Sequence, residues 1–171
     1  TSSKRARELG AKHVAHPIGY GERVNVACAD QTPDITLVGH RAAGAKALKQ
    51  AGMSVSDIHM LQPYDDFLIA IVLQLEHIGF CEIGQGCNFV LDTDIAYNGD
   101  LPINTGGGQI SAGQAGLAGG AHNLAEALRQ LYGEGAGRQT SDKSNAMVTG
   151  IGWIPYARNW GTSAVLILDA N

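Results

Sequence analysis

Apolar and polar positions alternate along this chain in a way that predicts nine short elements. Residues 2–10 read as a helix closed by Gly10. Residues 13–28 read as extended chain, with Val14, Val24 and Val26 as β-branched positions around a Gly19-Tyr20-Gly21 turn. Pro33 and Asp34 open an alanine-rich helix over residues 35–50 that Gly52 ends. Residues 57–61 form a short apolar run, read as a buried strand leading into a loop at Pro63-Tyr64-Asp65. From Asp66 to Ile78 nearly every face is apolar, which predicts a central, fully packed helix, capped by Asp65 or Asp66 and stopped by Gly79.

Residues 80–100 carry Gly84, Gly86 and Asn98-Gly99 but no sustained period, and read as a long loop that is functional or contacts a partner. Leu101-Pro102-Ile103-Asn104 looks like a strand end before a glycine cluster. Leu117, Leu124, Leu128 and Leu131, with Ala118, Ala121 and Ala125 beside them, predict an amphipathic helix that stops at Gly133. After a polar, turn-rich stretch over 134–145, residues 146–154 and 163–170 are β-like, joined by a loop with Pro155, Tyr156 and Trp160. Helices and strands in this order predict an α/β domain with a mixed, five-stranded sheet covered by helices.

Composition narrows the class. The 171 residues suit one domain, and 44% hydrophobic against 16% charged residues supply an ordinary core and argue against disorder. A net charge of −4, with no concentration of Lys and Arg, argues against nucleic acid as a partner. No apolar run approaches the about 20 residues of a membrane span, and no signal peptide is evident. Three cysteines, Cys28, Cys81 and Cys87, make an odd set without a Cys-x-x-Cys pair, which favours a reducing, cytoplasmic compartment. Cys81, Cys87 and His77 fit no zinc spacing, so no metal is expected. The chain enters its first helix from Thr1 with no strand before it, which suggests a piece of a longer protein.

The unusual count is glycine: 23 residues, seven of them between Gly106 and Gly120. In Asn104-Thr105-Gly106-Gly107-Gly108-Gln109-Ile110-Ser111-Ala112-Gly113-Gln114, a strand, a glycine turn and a helix start suit either an anion-binding backbone or a tight turn with close packing. Nucleotide templates fail here. Gly108 and Gly113 have Walker A spacing but Gln114-Ala115 follows, and Ser111 stands where a dinucleotide fingerprint needs its third glycine. Gln62-Pro63-Tyr64-Asp65-Asp66-Phe67 sets a phenol and two carboxylates between strand and helix, which suits acid/base chemistry or a plain helix cap. Val148-Thr149-Gly150-Ile151-Gly152-Trp153 is a strand end whose glycines admit a ligand or another backbone. His40, His59 and His122 read as satisfied structural histidines.

Together these blocks, with His77-Ile78-Gly79-Phe80-Cys81 and the terminal Leu166-Ile167-Leu168, resemble the C-terminal half of thiolase-like proteins. The branch resembled includes sterol-carrier-type thiolases and bacterial lipid-transfer-like thiolases, and the resemblance covers essentially all of residues 1–171. It implies a domain that packs on an N-terminal thiolase half, which carries the nucleophilic cysteine, and a tight homodimer. It implies acyl-CoA as substrate and no further cofactor. A thiolase Asn-Glu-Ala-Phe-like motif is replaced by Tyr64-Asp65-Asp66-Phe67, the histidine of Gly-His-Pro by Gln114, and the second, proton-shuttling cysteine by Thr149. Gln114 can donate to an oxyanion but cannot exchange protons near neutral pH, and a threonine is a very poor base. These replacements argue against Claisen condensation.

The same branch includes retro-aldol enzymes, with a tyrosine at the place of Tyr64 and a second at the place of Gln114. The resemblance therefore implies Tyr64, assisted by Asp65, as the proton-handling group, with Gln114 or loop amides steadying an enolate. A phenol ionises at about pH 10 in water, so its neighbours must favour the charged form first. Asn104, Gly106, Gly107, Gly108, Ser111, Gly150 and Gly152 are the expected substrate-binding residues. A small partner with a zinc ribbon and an OB-fold, on a separate chain, is also implied, with residues 80–100 as one candidate contact. The competing reading is a catalytically degenerate thiolase fold that binds acyl-CoA or lipid, or scaffolds a partner.

Overall fold

Strand β3 (Asn145–Gly152) is buried along almost its whole length, and its side chains alternate between two apolar layers. The computed structural model describes residues 1–24, 34–142, 144–152 and 161–170. Helices α1 (Ser3–Glu8), α2 (His40–Ala51), α3 (Leu68–Ile78), α4 (Gly86–Asp92), α5 (Gly108–Ala112) and α6 (Gly119–Leu131) surround strands β1 (His16–Val24), β2 (Leu61–Gln62), β3 and β4 (Thr162–Asp169). The sheet order is β1-β4-β3-β2. β4 lies antiparallel between β1 and β3, and β2 runs parallel to β3, so the sheet is mixed. Met147, Val165 and Ile167 face Ala43, Ala47, Leu75 and Ile78 of α2 and α3. Ala146, Val148 and Leu168 face Met60 and the Ala127 and Leu131 of α6. The result is a helix–sheet–helix sandwich.

Four strands, not five, are found among the described residues. Ile103 makes a single parallel bridge to Leu61, through Leu61 N–H to Pro102 O at 2.9 Å and Asn104 N–H to Leu61 O at 3.1 Å. Pro102 has no N–H to extend the ladder, and Asn104 turns away with φ 45°. The Gly19-Tyr20-Gly21 turn is also corrected: both glycines lie inside β1, against α2. A Cβ on Gly21 would overlap the Ala43 carbonyl, so this strand needs glycine to bring the helix backbone close. Gly21→Ala is expected to lower stability by about 1–3 kcal/mol, read as an earlier urea midpoint. Residues 25–28 of the predicted extended segment, Pro33, and the loop with Pro155, Tyr156 and Trp160 lie outside the described residues.

Helix α3 is stopped by Gly79 at φ 103°, as its sequence predicts. Its N-cap is Phe67, with no side-chain cap bond, so neither aspartate caps it. Nor is it packed all round, because Phe67, Leu68 and Ile69 are 53%, 72% and 56% exposed. The expected loop over 80–100 contains α4, too short for a periodic signal; Gly86 N–H donates to the buried Glu76 Oε1 at 2.9 Å. Helix α6 and its stop at Gly133 follow Leu124, Leu128 and Leu131, whereas Leu117 and Ala118, expected in the same helix, lie in a 3-10 turn over Gly116–Ala118 before it. No helix among the described residues is long and apolar enough to cross a membrane.

His40 is fully buried at the start of α2, where Nε2 donates to the Gly150 carbonyl at 3.2 Å. Its Nδ1 has no partner among the described residues, so the expectation of a satisfied histidine holds for one ring nitrogen. His122 Nε2 is likewise buried and unpartnered among those residues, whereas His59 Nδ1 meets Asn145 Nδ2 at 3.2 Å. Burial, above all, pushes the His40 pKa from 6.5 down to about 4. Between those values the unfolded chain binds the proton and the folded one does not. Stability is therefore full above about pH 6.5 and falls as pH drops toward about 4, by about 3 kcal/mol at most. Unfolding midpoints at pH 7.5 and 4.5 should converge in His40→Leu relative to the unsubstituted protein.

Candidate active site

The loop leaving β2 is fixed atom by atom. Pro63 O accepts from Asn104 Nδ2 at 3.1 Å and Asn123 Nδ2 at 2.6 Å. Tyr64 N–H donates to Thr149 Oγ1 at 2.9 Å, and the Thr149 hydroxyl donates in turn to Gln74 Oε1. Gln74 Nε2 closes the ring by donating to Tyr64 O and Ala70 O, each at 2.8 Å. The Thr149 proton is thus committed to Gln74, and its oxygen to Tyr64. Thr149 joins β3, α3 and the Tyr64 loop.

Asp65 is buried and reaches across to α5. Its Oδ1 accepts Gln109 N–H at 2.9 Å and its Oδ2 accepts Ile110 N–H at 3.3 Å, so the carboxylate satisfies amides that the first helical turn leaves free. Gly108 makes the approach possible: its φ is 60°, and a Cβ there would overlap Asp65 Oδ2. Asp66 beside it is half-buried, with Oδ1 unpartnered among the described residues. Burial pushes the Asp66 carboxyl up, its own and the Phe67 backbone amides oppose this, and the neighbouring Asp65 adds to the rise.

Behind the glycine loop lies a buried polar network. Thr105 Oγ1 donates to Glu126 Oε1 at 2.7 Å and accepts from Gln62 Nε2 at 3.0 Å. Gln130 Nε2 also reaches Glu126 Oε1, at 2.9 Å, and Arg138 Nε holds the Thr105 carbonyl at 2.8 Å. Asn104 therefore sits in a left-handed conformation uncommon for a non-glycine residue, held from both sides.

The Tyr64 ring is 8% exposed and packs near Gly120 at the start of α6. Gln114 Nε2, from the loop before α6, donates to Tyr64 Oη at 3.3 Å. The fold thus brings Tyr64, Asp65, Asn104, Gly106, Gly107, Gly108, Gln114 and Thr149 into one region. Ser111 is exposed on α5, with its N–H on Gly107 O. Gly150 and Gly152 continue β3 beyond Thr149; the Gly150 carbonyl is taken by His40, and Gly152 pairs with Thr162. Cys81 is partly buried, and burial together with Glu76 and Glu82 pushes its thiol pKa up, the reverse of what a nucleophilic thiolate needs.

Sequence reasoning missed the polar residues that build this site: Gln62, Gln74, Thr105, Gln109, Asn123, Glu126 and Gln130. One signal was available. Asn123, Glu126 and Gln130 recur at helical spacing on one face of α6, and Gln74 is the first polar residue after the apolar run over residues 67–73.

Residues 21–168 match the thiolase C-terminal domain-like family, and the chain belongs to it. Among its relatives, a steroid side-chain-cleaving aldolase of Thermomonospora curvata is 36% identical over 117 residues, 68% of this chain and 28% of that protein. A 17-hydroxy-3-oxo-4-pregnene-20-carboxyl-CoA lyase of Mycobacterium tuberculosis is 38% identical over 104 residues, 61% of this chain and 25% of that protein. The solved Ltp2-ChsH2(DUF35) aldolase superposes with a TM-score of 0.75 at 28% identity, over 99% of this chain and 43% of that one. The chain therefore spans roughly a quarter of the length of these curated relatives.

Proposed function

We propose that this chain is the C-terminal part of a thiolase-fold lyase that breaks the Cα–Cβ bond of a β-hydroxyacyl-CoA by a retro-aldol step. The observation that carries this reading is the buried Tyr64 hydroxyl with the Gln114 amide donating to it. A phenolate at Tyr64 takes the proton of the substrate's β-hydroxyl. The O–H pair forms the new carbonyl, the Cα–Cβ pair moves to Cα, and the charge settles on the thioester oxygen as an enolate. Protonation at Cα then releases the shortened acyl-CoA. Gln114 supplies a hydrogen-bond donor but no proton-transfer group, so it departs both from the thiolase histidine and from the second tyrosine of the retro-aldol enzymes, and Tyr64 alone handles the proton. Asp65 and Thr149 serve by holding Tyr64 and the α5 amides in place, while Asn104 and Gly106 to Gly108 form the wall against which the thioester lies.

The rest of the reading concerns assembly. The exposed Phe67, Leu68, Ile69 and Ile110 suit burial against an N-terminal thiolase half, since apolar clusters of this kind mark contact surfaces. A homodimer and a separate partner chain akin to the ChsH2(DUF35) component of the aldolase above complete it. The substrate class is a steroid side-chain thioester, after the names of the relatives. The test is the full-length protein, with and without a co-encoded small partner, offered acyl-CoA and β-hydroxyacyl-CoA panels. Release of a shortened acyl-CoA and a carbonyl product from the hydroxy substrates is expected. Binding without turnover would replace this reading by the degenerate, acyl-CoA-holding one, and CoA-dependent thiolysis would overturn it.

A further inference from the structure

Gln109 sits in the middle of this site with its side chain unused. It is 3% exposed, and neither carboxamide atom has a hydrogen-bond partner among the described residues. Buried amides are almost always paired, so one left open at both ends calls for a physical reason. Its surroundings supply one. Asp65 holds the Gln109 N–H at 2.9 Å, so the residue next to Tyr64 sets where Gln109 stands. The carboxamide lies against the bare backbone of Gly119, where a Cβ would overlap Gln109 Oε1 and stand 3.1 Å from Tyr64 Oη. Amide and phenol oxygens thus face one small space that only glycine leaves open.

We propose that Gln109 is a positioning residue for Tyr64, its carboxamide turning to meet the phenol oxygen in either protonation state. While Tyr64 carries its proton, Gln109 Oε1 can accept it; once the proton has left, Nε2 can donate to the phenolate. The terminal amide torsion is broad and roughly two-fold, so both orientations are accessible. A carboxamide tied at one end could not make that change, which accounts for two open ends. Gln114 already donates to the same oxygen at 3.3 Å, and Gln109 provides the second donor. The catalytic consequence rests on the lyase reading of Tyr64, whereas the placement beside Tyr64 does not.

The test is a double-mutant cycle in the full-length protein. Gln109→Met keeps the volume and removes both polar ends. It is expected to lower kcat for C–C cleavage by about 10- to 100-fold, the contribution of one hydrogen bond to a charged oxygen, with KM changed less than about twofold. Added to Tyr64→Phe it should cost less than about twofold more, because a residue acting through the hydroxyl has nothing left to act on. A fully multiplicative loss in that background, or an unchanged kcat in Gln109→Met, overturns the proposal. If Gln109→Met folds poorly, Gln109→Asn, one methylene short, takes its place in the cycle. A second readout needs no turnover: in protein labelled at glutamine side-chain nitrogen, the Gln109 amide signal should move in Tyr64→Phe and stay fixed in Tyr20→Phe. No movement overturns the proposal even where Tyr64 is catalytic. Movement with full turnover in Tyr64→Phe overturns the lyase reading and leaves the placement standing.

Discussion

Tyr64→Phe is expected to cut the rate of C–C cleavage by about 10²- to 10⁴-fold, the usual contribution of a positioned proton-transfer group. The change removes one oxygen and little else. The ring keeps its packing near Gly120, and the backbone bonds to Thr149 and Gln74 do not involve the side chain. The lost side-chain bond is the 3.3 Å contact from Gln114, which lies on an exposed loop and can hydrogen-bond to water instead. Stability and acyl-CoA affinity should therefore stay close to those of the unsubstituted protein, and kcat should carry the loss. Turnover assays beside isothermal titration with a non-cleavable acyl-CoA separate the two quantities. Full turnover in Tyr64→Phe would remove Tyr64 from the chemistry.

Gly108→Ala is expected to have the largest effect outside the phenol itself. Two costs add at this position. A non-glycine residue at φ 60° is strained, by about 1 kcal/mol or more. The new Cβ also overlaps Asp65 Oδ2, so the carboxylate must leave the Gln109 and Ile110 amides; the buried Gln109 amide costs about 1–3 kcal/mol without a partner, while half-exposed Ile110 can turn its amide to water. A loss of about 2–4 kcal/mol in stability is expected, with activity reduced beyond what the remaining folded fraction explains. Gly52→Ala is the internal control. It has a similar φ of 67° but nothing within 4 Å of its Cβ, so it tests strain without overlap and should cost clearly less. Equal midpoints for the two variants would show that Asp65 does not hold α5.

What the sequence revealed follows from the range of the interactions concerned. Helix α6 announced itself because Leu124, Leu128 and Leu131 repeat at the helical period, and β3 and β4 because aliphatic residues fill consecutive strand positions. The Tyr64-Asp65 loop and the glycine cluster stood out by residue type, and the fold brings them together. The partner of Asp65 did not show, since its carboxylate meets amides 44 and 45 positions away and sequence reading assigns a cap to the nearest helix. Gly19 and Gly21 look like a turn until α2 is laid across them, because close packing and positive φ select the same residue. Phe67, Leu68 and Ile69 misled in another way. An apolar pattern reports surface that is to be buried, and it does not say whether this domain or another polypeptide buries it.

The Thr149 hydroxyl, through its bonds to Tyr64 and Gln74, constrains how this family member can evolve. By the thiolase resemblance, this is the position of the proton-shuttling cysteine. A thiol at residue 149 is a weak donor and a weak acceptor, so it could replace neither bond well. A mutational return to cysteine would release the backbone of Tyr64 while Gln114 still stood where the resemblance places the histidine. A single oxygen thus fixes a loop to a strand and a helix, and any substitution at residue 149 acts on that joint before it acts on anything else.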